Sequence, residues 1–358
     1  MSKKIMAIVA AVAVSSSLLL AGPAAVAGES ISGKGSSFAS NGLGYCLAHY
    51  RNAAGDTVTY TSTGSGTGRS ELAAGNVDWA ASDGAYKVAD NQPSDYAMVP
   101  LLGGPIVFAY NKSSKIPADL KLDSIVLGKI FKGVVKKWND PLIKKLNKGK
   151  VLPAKTIKLV YRGGNTSGTN ENLTTYFAAT TTGWVAKKKD LNEGAGGTAG
   201  QTAALAPGAT PEALSTLIAD DIQTTKYSLG YFDLSDAVGA KFSLVALKNK
   251  HGEFVKPTAA AGAKFLAAQV VPATGNKLTD GVATLGFGTT SVKNAYQLTV
   301  LTYGIGYKGK GTAKATASKN WFKYVLNTCM PANASRLGYV ALTGQLKTAA
   351  LAQANSIG

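Results

Sequence analysis

Gly33-Lys34-Gly35-Ser36-Ser37-Phe38, Ser62-Thr63-Gly64-Ser65-Gly66-Thr67-Gly68 and Asn165-Thr166-Ser167-Gly168-Thr169 are stretches of one kind. Each carries glycines and hydroxyls directly before a segment whose spacing predicts a helix: Ser40–Ala53, Arg69–Ala74 and Asn170–Ala179. Glycine lets backbone approach a ligand, hydroxyls donate hydrogen bonds, and unpaired helix N–H groups with the helix dipole favour negative charge. One such loop is ordinary helix capping. Three in one chain point to a shared oxyanion site. Arg162 ends a predicted strand just before the third loop, where its guanidinium fork matches an oxyanion. It is one of four arginines among 38 basic residues. Asp83 closes Asp78-Trp79-Ala80-Ala81-Ser82-Asp83, where its local reading is a turn or cap former.

Outward from these loops, short β-branched or aromatic runs alternate with longer amphipathic ones, the pattern of an α/β chain. Strands are expected at Val58–Thr63, Ile106–Tyr110, Ile157–Tyr161, Phe242–Leu247 and Leu298–Tyr303. Further helices are expected at Asp123–Phe131, Pro211–Ala219, Ala259–Val271 and Ser318–Thr328. Gly103-Gly104-Pro105 and the stretch around Ser291–Gln297 interrupt the pattern and read as crossings between two lobes. Gly194–Gly208 reads as a flexible surface loop. The lysines of Lys136–Lys158 are interleaved with leucine and isoleucine, as on the wet side of amphipathic elements, not as a nucleic-acid stripe.

Residues 1–27 combine Lys3 and Lys4, an apolar run from Ile5 to Leu20 and Ala25-Val26-Ala27, the pattern of a cleaved export signal. Gly22, Pro23 and Ser15–Ser17 argue against a membrane anchor. The 331 residues that remain of 358 suffice for about two domains, and a composition 45% hydrophobic and 16% charged is that of a globular protein. The net charge is +18, or +16 once Lys3 and Lys4 leave with the signal, an excess that favours anionic partners. Cys46 and Cys329 are the only cysteines. In an oxidising space they are expected to pair, and neither has metal-ligand neighbours.

The strings Gly35–Phe38, Tyr60–Gly68 and Val77–Asp83 resemble the first lobe of the phosphate-binding proteins of phosphate ABC transporters. The resemblance continues through Ile130–Trp138-Asn139-Asp140, Ile143–Asn147, Arg162, Ser167-Gly168-Thr169, Tyr227–Tyr231 and Lys256-Pro257-Thr258, in the family's order. It implies an α/β, two-lobed periplasmic-binding-protein type II fold, a Venus flytrap with two crossover strands and ligand in the interlobe cleft. The lobes are drawn at residues 28–103 with 297–358 and at residues 104–296. The implied phosphate site is Ser37, Phe38, Ser65, Asp83, Arg162, Ser167, Gly168 and Thr169. The hydroxyls of Ser37, Ser65, Ser167 and Thr169 would donate to the ligand, as would the amides of Phe38, Gly168 and Thr169. Arg162 would supply charge. Asp83 would accept the proton of hydrogen phosphate and repel ionised sulfate. Two departures stand out. Gly163-Gly164-Asn165-Thr166 lacks the acid that the family commonly places after the arginine, and Ser37 replaces threonine.

The resemblance further implies a reversible phosphate receptor that delivers its ligand to a membrane ABC permease. It would be a monomer without cofactor, metal or nucleic-acid partner, periplasmic or secreted. An exported phosphohydrolase or a secreted phosphate-dependent adhesion protein are the alternatives. Catalytic signatures are thin: there is no G-x-x-x-x-G-K-[ST] or G-x-S-x-G. His49 and His251 are the only imidazoles, both read as structural or solvent-facing. Gly304-Ile305-Gly306-Tyr307-Lys308-Gly309 fits G-x-G-x-x-G but reads as a turn.

Overall fold

The computed structural model describes residues 28–164, 166–198, 200–239, 242–272 and 280–358; the expected export signal lies outside them. Its strands are β1 (Ser30–Gly35), β2 (Thr57–Ser62), β3 (Trp79–Ser82), β4 (Tyr96–Asn111), β5 (Lys121–Leu122), β6 (Lys158–Arg162), β7 (Thr210–Glu212), β8 (Ser228–Asp233), β9 (Phe242–Leu244), β10 (Ala246–Lys248), β11 (Phe254–Val255) and β12 (Thr299–Tyr307). The helices are α1 (Ser40–His49), α2 (Ser65–Ala73), α3 (Ser124–Phe131), α4 (Pro141–Leu146), α5 (Gly168–Thr180), α6 (Leu191–Gly194), α7 (Ser215–Thr224), α8 (Leu234–Ala237), α9 (Ala259–Leu266), α10 (Ala313–Tyr324), α11 (Met330–Asn333) and α12 (Gly344–Asn355).

Most strands join one mixed sheet in the order β2-β1-β3-β12-β4-β8-β6-β7, with β9 also on β4. β1 pairs in parallel with β2 and β3, β6 in parallel with β7 and β8, and β12 runs antiparallel to β3 and β4. The hinge of this order is β4, whose 16 residues are all buried, the continuous apolar run of a strand covered on both faces. It pairs with β12 from Tyr96 to Pro105 and with β8 from Ile106 to Tyr110. Gly103-Gly104-Pro105 is part of this strand, next to the point where β4 changes partner from β12 to β8. The glycines serve close packing: a Cβ on Gly104 would stand 2.9 Å from the Phe38 ring.

The glycine string at Gly304 likewise begins in strand. Gly304 and Gly306 sit inside β12, and a Cβ at Gly304 would lie 2.7 Å from the Phe322 ring, so small residues are dictated there by packing; the strand ends at Tyr307, and the chain bends only at Gly309, at φ +60°. Phe242–Leu247 divides into β9 and β10, because Val245 turns its N–H to the Phe108 carbonyl and its neighbours join different sheets. Pro211 belongs to β7 beside β6, and the helix expected there starts only at Ser215. The expected helix at Ser318–Thr328 begins earlier, at Ala313 under a Thr312 cap, and relaxes into a wider turn over Val325–Cys329. Those at Ser40–Ala53 and Ala259–Val271 stop early, at His49 and Leu266. Within Gly194–Gly208, Leu205 is buried and the Ala206 N–H donates to the Phe131 carbonyl, so part of this stretch packs on the core.

Lys136, Lys137, Lys144, Lys145, Lys148, Lys155 and Lys158 are exposed while Ile143, Leu152 and Ile157 are buried, the solvated face expected of that run. Cys46 on α1 is disulfide-bonded to Cys329, 283 residues away, and joins the two ends of the chain. Replacing both cysteines by serine is expected to cost about 2–5 kcal/mol of stability. Urea unfolding of the oxidised protein and the double variant checks this, and coincident midpoints would mean that the crosslink carries none of the fold's stability. Among the described residues no helix is long and apolar enough to cross a membrane.

Candidate functional site

The sheet order brings the three loops together at strand ends. β1 ends at Gly35 and leads through Ser36–Ala39 into α1; β2 ends at Ser62 and leads through Thr63 and Gly64 into α2; β6 ends at Arg162 before α5. Gly64 adopts φ +91°, a left-handed conformation that side chains avoid, and lets α2 begin at Ser65, earlier than the predicted Arg69. The second and third loops touch. The Gly66 N–H donates to the Thr166 carbonyl at 2.8 Å. A Cβ at Gly168 would lie 2.9 Å from Ser65 Cβ and 3.0 Å from Asp83 Cβ.

Asp83, at the end of β3, is the centre of the site and is 4% exposed. Its Oδ1 accepts from Ser36 Oγ at 2.6 Å and from Thr302 Oγ1 at 2.6 Å, and its Oδ2 accepts from Ser65 Oγ at 3.2 Å. Burial raises its pKa, opposed by the hydrogen bonds of Ser36, Thr302 and Ser65 and by the charge of Arg69. A carboxylate offers roughly four lone-pair positions, so three donors leave one to face a ligand. Ser65 also accepts the Asp83 N–H at 3.1 Å. In this arrangement its hydroxyl hydrogen is directed to Asp83.

Arg162 is 2% exposed. Asn170 Nδ2 donates to its carbonyl at 2.8 Å, and its own N–H donates to Tyr231 Oη at 3.2 Å, which fixes the backbone from which the guanidinium projects. Nε donates to Ser167 Oγ at 3.4 Å. A Cβ at Gly64 would stand 3.5 Å from Nη2. Nη1 makes no hydrogen bond among the described residues, nor does Thr63 Oγ1. Burial pulls the pKa of Arg162 down, against the raising effects of Tyr231 and Asp83, and a guanidinium stays charged under such pressure. Among the described residues no acid lies within ion-pair distance of it. The buried cation is therefore uncompensated in the way a site awaiting an anion requires.

Ser167 caps α5 by accepting the Asn170 N–H at 3.1 Å and accepts from Arg162 as well, so its hydroxyl hydrogen remains free to donate. Gly168 and Thr169 form the first turn of α5, buried. Ser37 and Phe38 follow Ser36; Ser37 is 6% exposed, and the Phe38 carbonyl accepts from Tyr339 Oη at 2.7 Å. All eight predicted residues are thus buried on the segments that converge around Asp83 and Arg162.

Sequence reading missed three contributors. Ser36 lay inside a quoted loop, and only its neighbour Ser37 was chosen. Thr302 comes from β12, 219 residues from Asp83, with no local signal. Arg69, 2% exposed, donates through Nη1 to Ser82 Oγ at 2.7 Å and to the Gly84 carbonyl at 2.5 Å, bracketing Asp83, while its Nη2 stands 3.5 Å from Glu171 Oε2 on α5. A 660 Å³ cavity lined by Tyr86, Lys87, Asn172, Leu285 and Tyr303 opens onto Asp83 and Glu171 and includes none of the other seven predicted residues. His49 is exposed and stacks on Tyr45; His251 is exposed beside Ser291. Neither reaches the site.

The chain is 32% identical over 236 residues to the phosphate-binding protein PstS of Pasteurella multocida (strain Pm70), covering 64% of each protein. It is 32% identical over 235 residues to the phosphate-binding protein PstS of Haemophilus influenzae, covering 64% of this chain and 66% of that one. The chain thus spans 64% and 66% of the length of these relatives. The structure resembles that of a high affinity periplasmic phosphate-binding protein (PfluDING) bound with phosphate, at TM-score 0.70 and 19% identity over 90% of this chain and 93% of that one. It also resembles a phosphate-binding protein from Stenotrophomonas maltophilia, at TM-score 0.62 and 17% identity over the same shares. At these identities the structural likeness speaks for the α/β fold. Residues 22–328 match the PBP superfamily domain, which is most of the 358-residue chain, and the chain belongs to that family.

Proposed function

We propose that the chain is an extracytoplasmic solute-binding protein that binds inorganic phosphate reversibly and delivers it to a membrane ABC permease. Its two lobes are residues 28–103 with 297–358 and residues 104–296. The change of partner along β4, from β12 up to Pro105 to β8 from Ile106, supports this division, with β4 and β12 as the crossover strands. Ser36, Thr63, Ser65 and Asp83 then belong to one lobe and Arg162, Ser167, Gly168 and Thr169 to the other. A ligand held by both favours the closed state, because only a difference in affinity between open and closed forms can shift their balance.

The observation that carries the reading is the pairing of a buried guanidinium without a close acid and a buried carboxylate with one acceptor position left over. The first demands an anion; the second demands that the anion carry a hydrogen. Hydrogen phosphate meets both conditions and sulfate only the first. The Ser167 hydroxyl, the free hydroxyl of Ser37 and the amides at Phe38, Gly168 and Thr169 complete the set of donors. Ser65 acts through Asp83 by fixing its carboxylate.

Isothermal titration with phosphate and with sulfate tests the reading: saturable phosphate binding without turnover is expected, with sulfate weaker. Steady release of phosphate from esters by clean protein would favour the phosphohydrolase instead. Asp83→Asn is expected to narrow the preference for phosphate over sulfate by roughly tenfold or more, the scale of one unmatched buried hydrogen bond at ~1–3 kcal/mol. Unchanged selectivity in that variant removes Asp83 from the role.

A further inference from the structure

Asp233 ends β8 and Asp236 lies on α8, which packs against α1 and against the C-terminal stretch around Tyr339. Asp233 is 1% exposed. Its Oδ1 accepts from Ser235 Oγ and from the Asp236 N–H. Asp236 Oδ1 accepts from Asn41 Nδ2 at 2.8 Å, and the same amide donates to Ser235 Oγ at 2.9 Å. The two remaining carboxyl oxygens, Asp233 Oδ2 and Asp236 Oδ2, are both buried and have no other hydrogen-bond partner among the described residues, yet the two side chains lie within hydrogen-bonding reach of each other. Two buried carboxylates within reach of each other and without a donor between them repel; one proton held by the pair relieves that repulsion. Among the described residues no Lys or Arg forms an ion pair with either.

Among the described residues the surroundings add no ion pair to either carboxyl. α7 contributes Asp220, whose charge bears on Asp236, and its neighbour Asp221. From α1 come Asn41, Tyr45 and His49, the last two stacked on each other. Opposite Asp233, β4 presents Ile106. From the C-terminal side come Tyr339, whose hydroxyl donates to the Phe38 carbonyl at 2.7 Å and stands 2.8 Å from Ser235 Oγ, and Arg336, occupied with Asn333 and the Tyr45 ring. The Ser235–Tyr339–Phe38 chain connects the pair to one of the segments that would hold the anion.

We propose that Asp233 and Asp236 share a proton and that this proton latches the lobes: α8 stays pressed against α1 and Tyr339 only while the pair retains at least one proton. The proposal rests on the two-lobe reading. It makes closure a proton-retaining step at a point remote from Asp83.

The sign follows from burial. Desolvation, with the neighbouring charge of Asp236, raises the Asp233 pKa well above the ordinary carboxylate value, and burial raises that of Asp236. An open form that hydrates the pair returns both toward about pH 4. The closed form is fully favoured below that range and loses stability as pH rises through the raised value.

Asp233→Asn supplies the test, because its amide can donate permanently to Asp236 Oδ2 where the proton would sit. Wild type and variant are expected to bind inorganic phosphate alike near pH 6. Near pH 9 the variant should bind about tenfold tighter, the effect of one unit of differential protonation. Titration of phosphate itself cancels in the ratio. Urea midpoints of ligand-free protein should fall with pH for wild type and stay flatter for Asp233→Asn. Asp236→Asn, at a partly exposed position, gives the second series should the first variant fold poorly. A phosphate affinity ratio independent of pH overturns the latch. Wild type that binds no phosphate at any pH rejects the phosphate reading instead, and the urea series then judges the pair: parallel pH profiles for wild type and variants overturn it.

Discussion

Replacing Arg162 by methionine is expected to weaken phosphate binding by about 2–5 kcal/mol, from ~30-fold to several thousand-fold in dissociation constant, the scale for removing one partner of a desolvated charge pair. The guanidinium is buried, fixed through Nε on Ser167 Oγ, and leaves Nη1 without a partner. Lysine at this position should restore only part of the loss, since a point charge cannot reproduce the fork. Stability should respond in the opposite sense. A buried cation without a close acid is a cost to the ligand-free fold, so Arg162→Met should leave its urea midpoint unchanged or raised. Titration calorimetry and urea unfolding on the same preparations read both effects. A loss of affinity below about fivefold, against the ~30-fold lower bound, would mean that the anion's charge is met elsewhere.

Arg69→Met is expected to produce the largest fall in stability, about 3–5 kcal/mol, because it strands a buried acid. Glu171 is 6% exposed, and its other cationic neighbour, Lys87, stands 3.5 Å away on a more exposed side chain. The substitution also removes donors from Ser82 Oγ and the Gly84 carbonyl, on either side of Asp83. The space is tight: a Cβ at Gly84 would lie 2.5 Å from Glu171 Oε2. The double variant Arg69→Met/Glu171→Leu should recover most of the loss, since exchanging a whole buried pair for apolar groups is often neutral or favourable. Urea midpoints at matched slopes check the cycle, and additivity of the two single changes would show that the groups do not interact. The same pair bridges α2 and α5, so its removal should also weaken phosphate binding.

The legible part of the site lay in segments of a few residues. Ser167 as a cap, Arg162 at a strand end and Asp83 closing a short apolar run are each announced by neighbours within about four positions, the range over which capping and strand periodicity act. Thr302 carries no such announcement: it is one threonine among many until β12 is inserted between β3 and β4. Arg69 was read as the start of a helix that in fact begins at Ser65, where Gly64 takes a conformation that periodicity does not reveal. The glycines of β4 and β12 are ambiguous for a related reason. Glycine marks either a turn or a close approach, and only the presence of the Phe38 and Phe322 rings distinguishes the two.

By itself, then, the sequence determined the alternation of strands and helices, the three donor-rich helix entries, the excess of positive charge and the pairing of two cysteines, because each depends on composition or short-range pattern. Tertiary structure alone decided which donors surround Asp83, that Arg69 and Glu171 pair, and that Asp233 and Asp236 come together with no Lys or Arg ion-paired to either among the described residues. Those outcomes depend on the order of strands in the sheet, which sets long-range neighbours and removes them from water; burial and proximity, not residue type, then fix the charge and hydrogen-bonding state of each group.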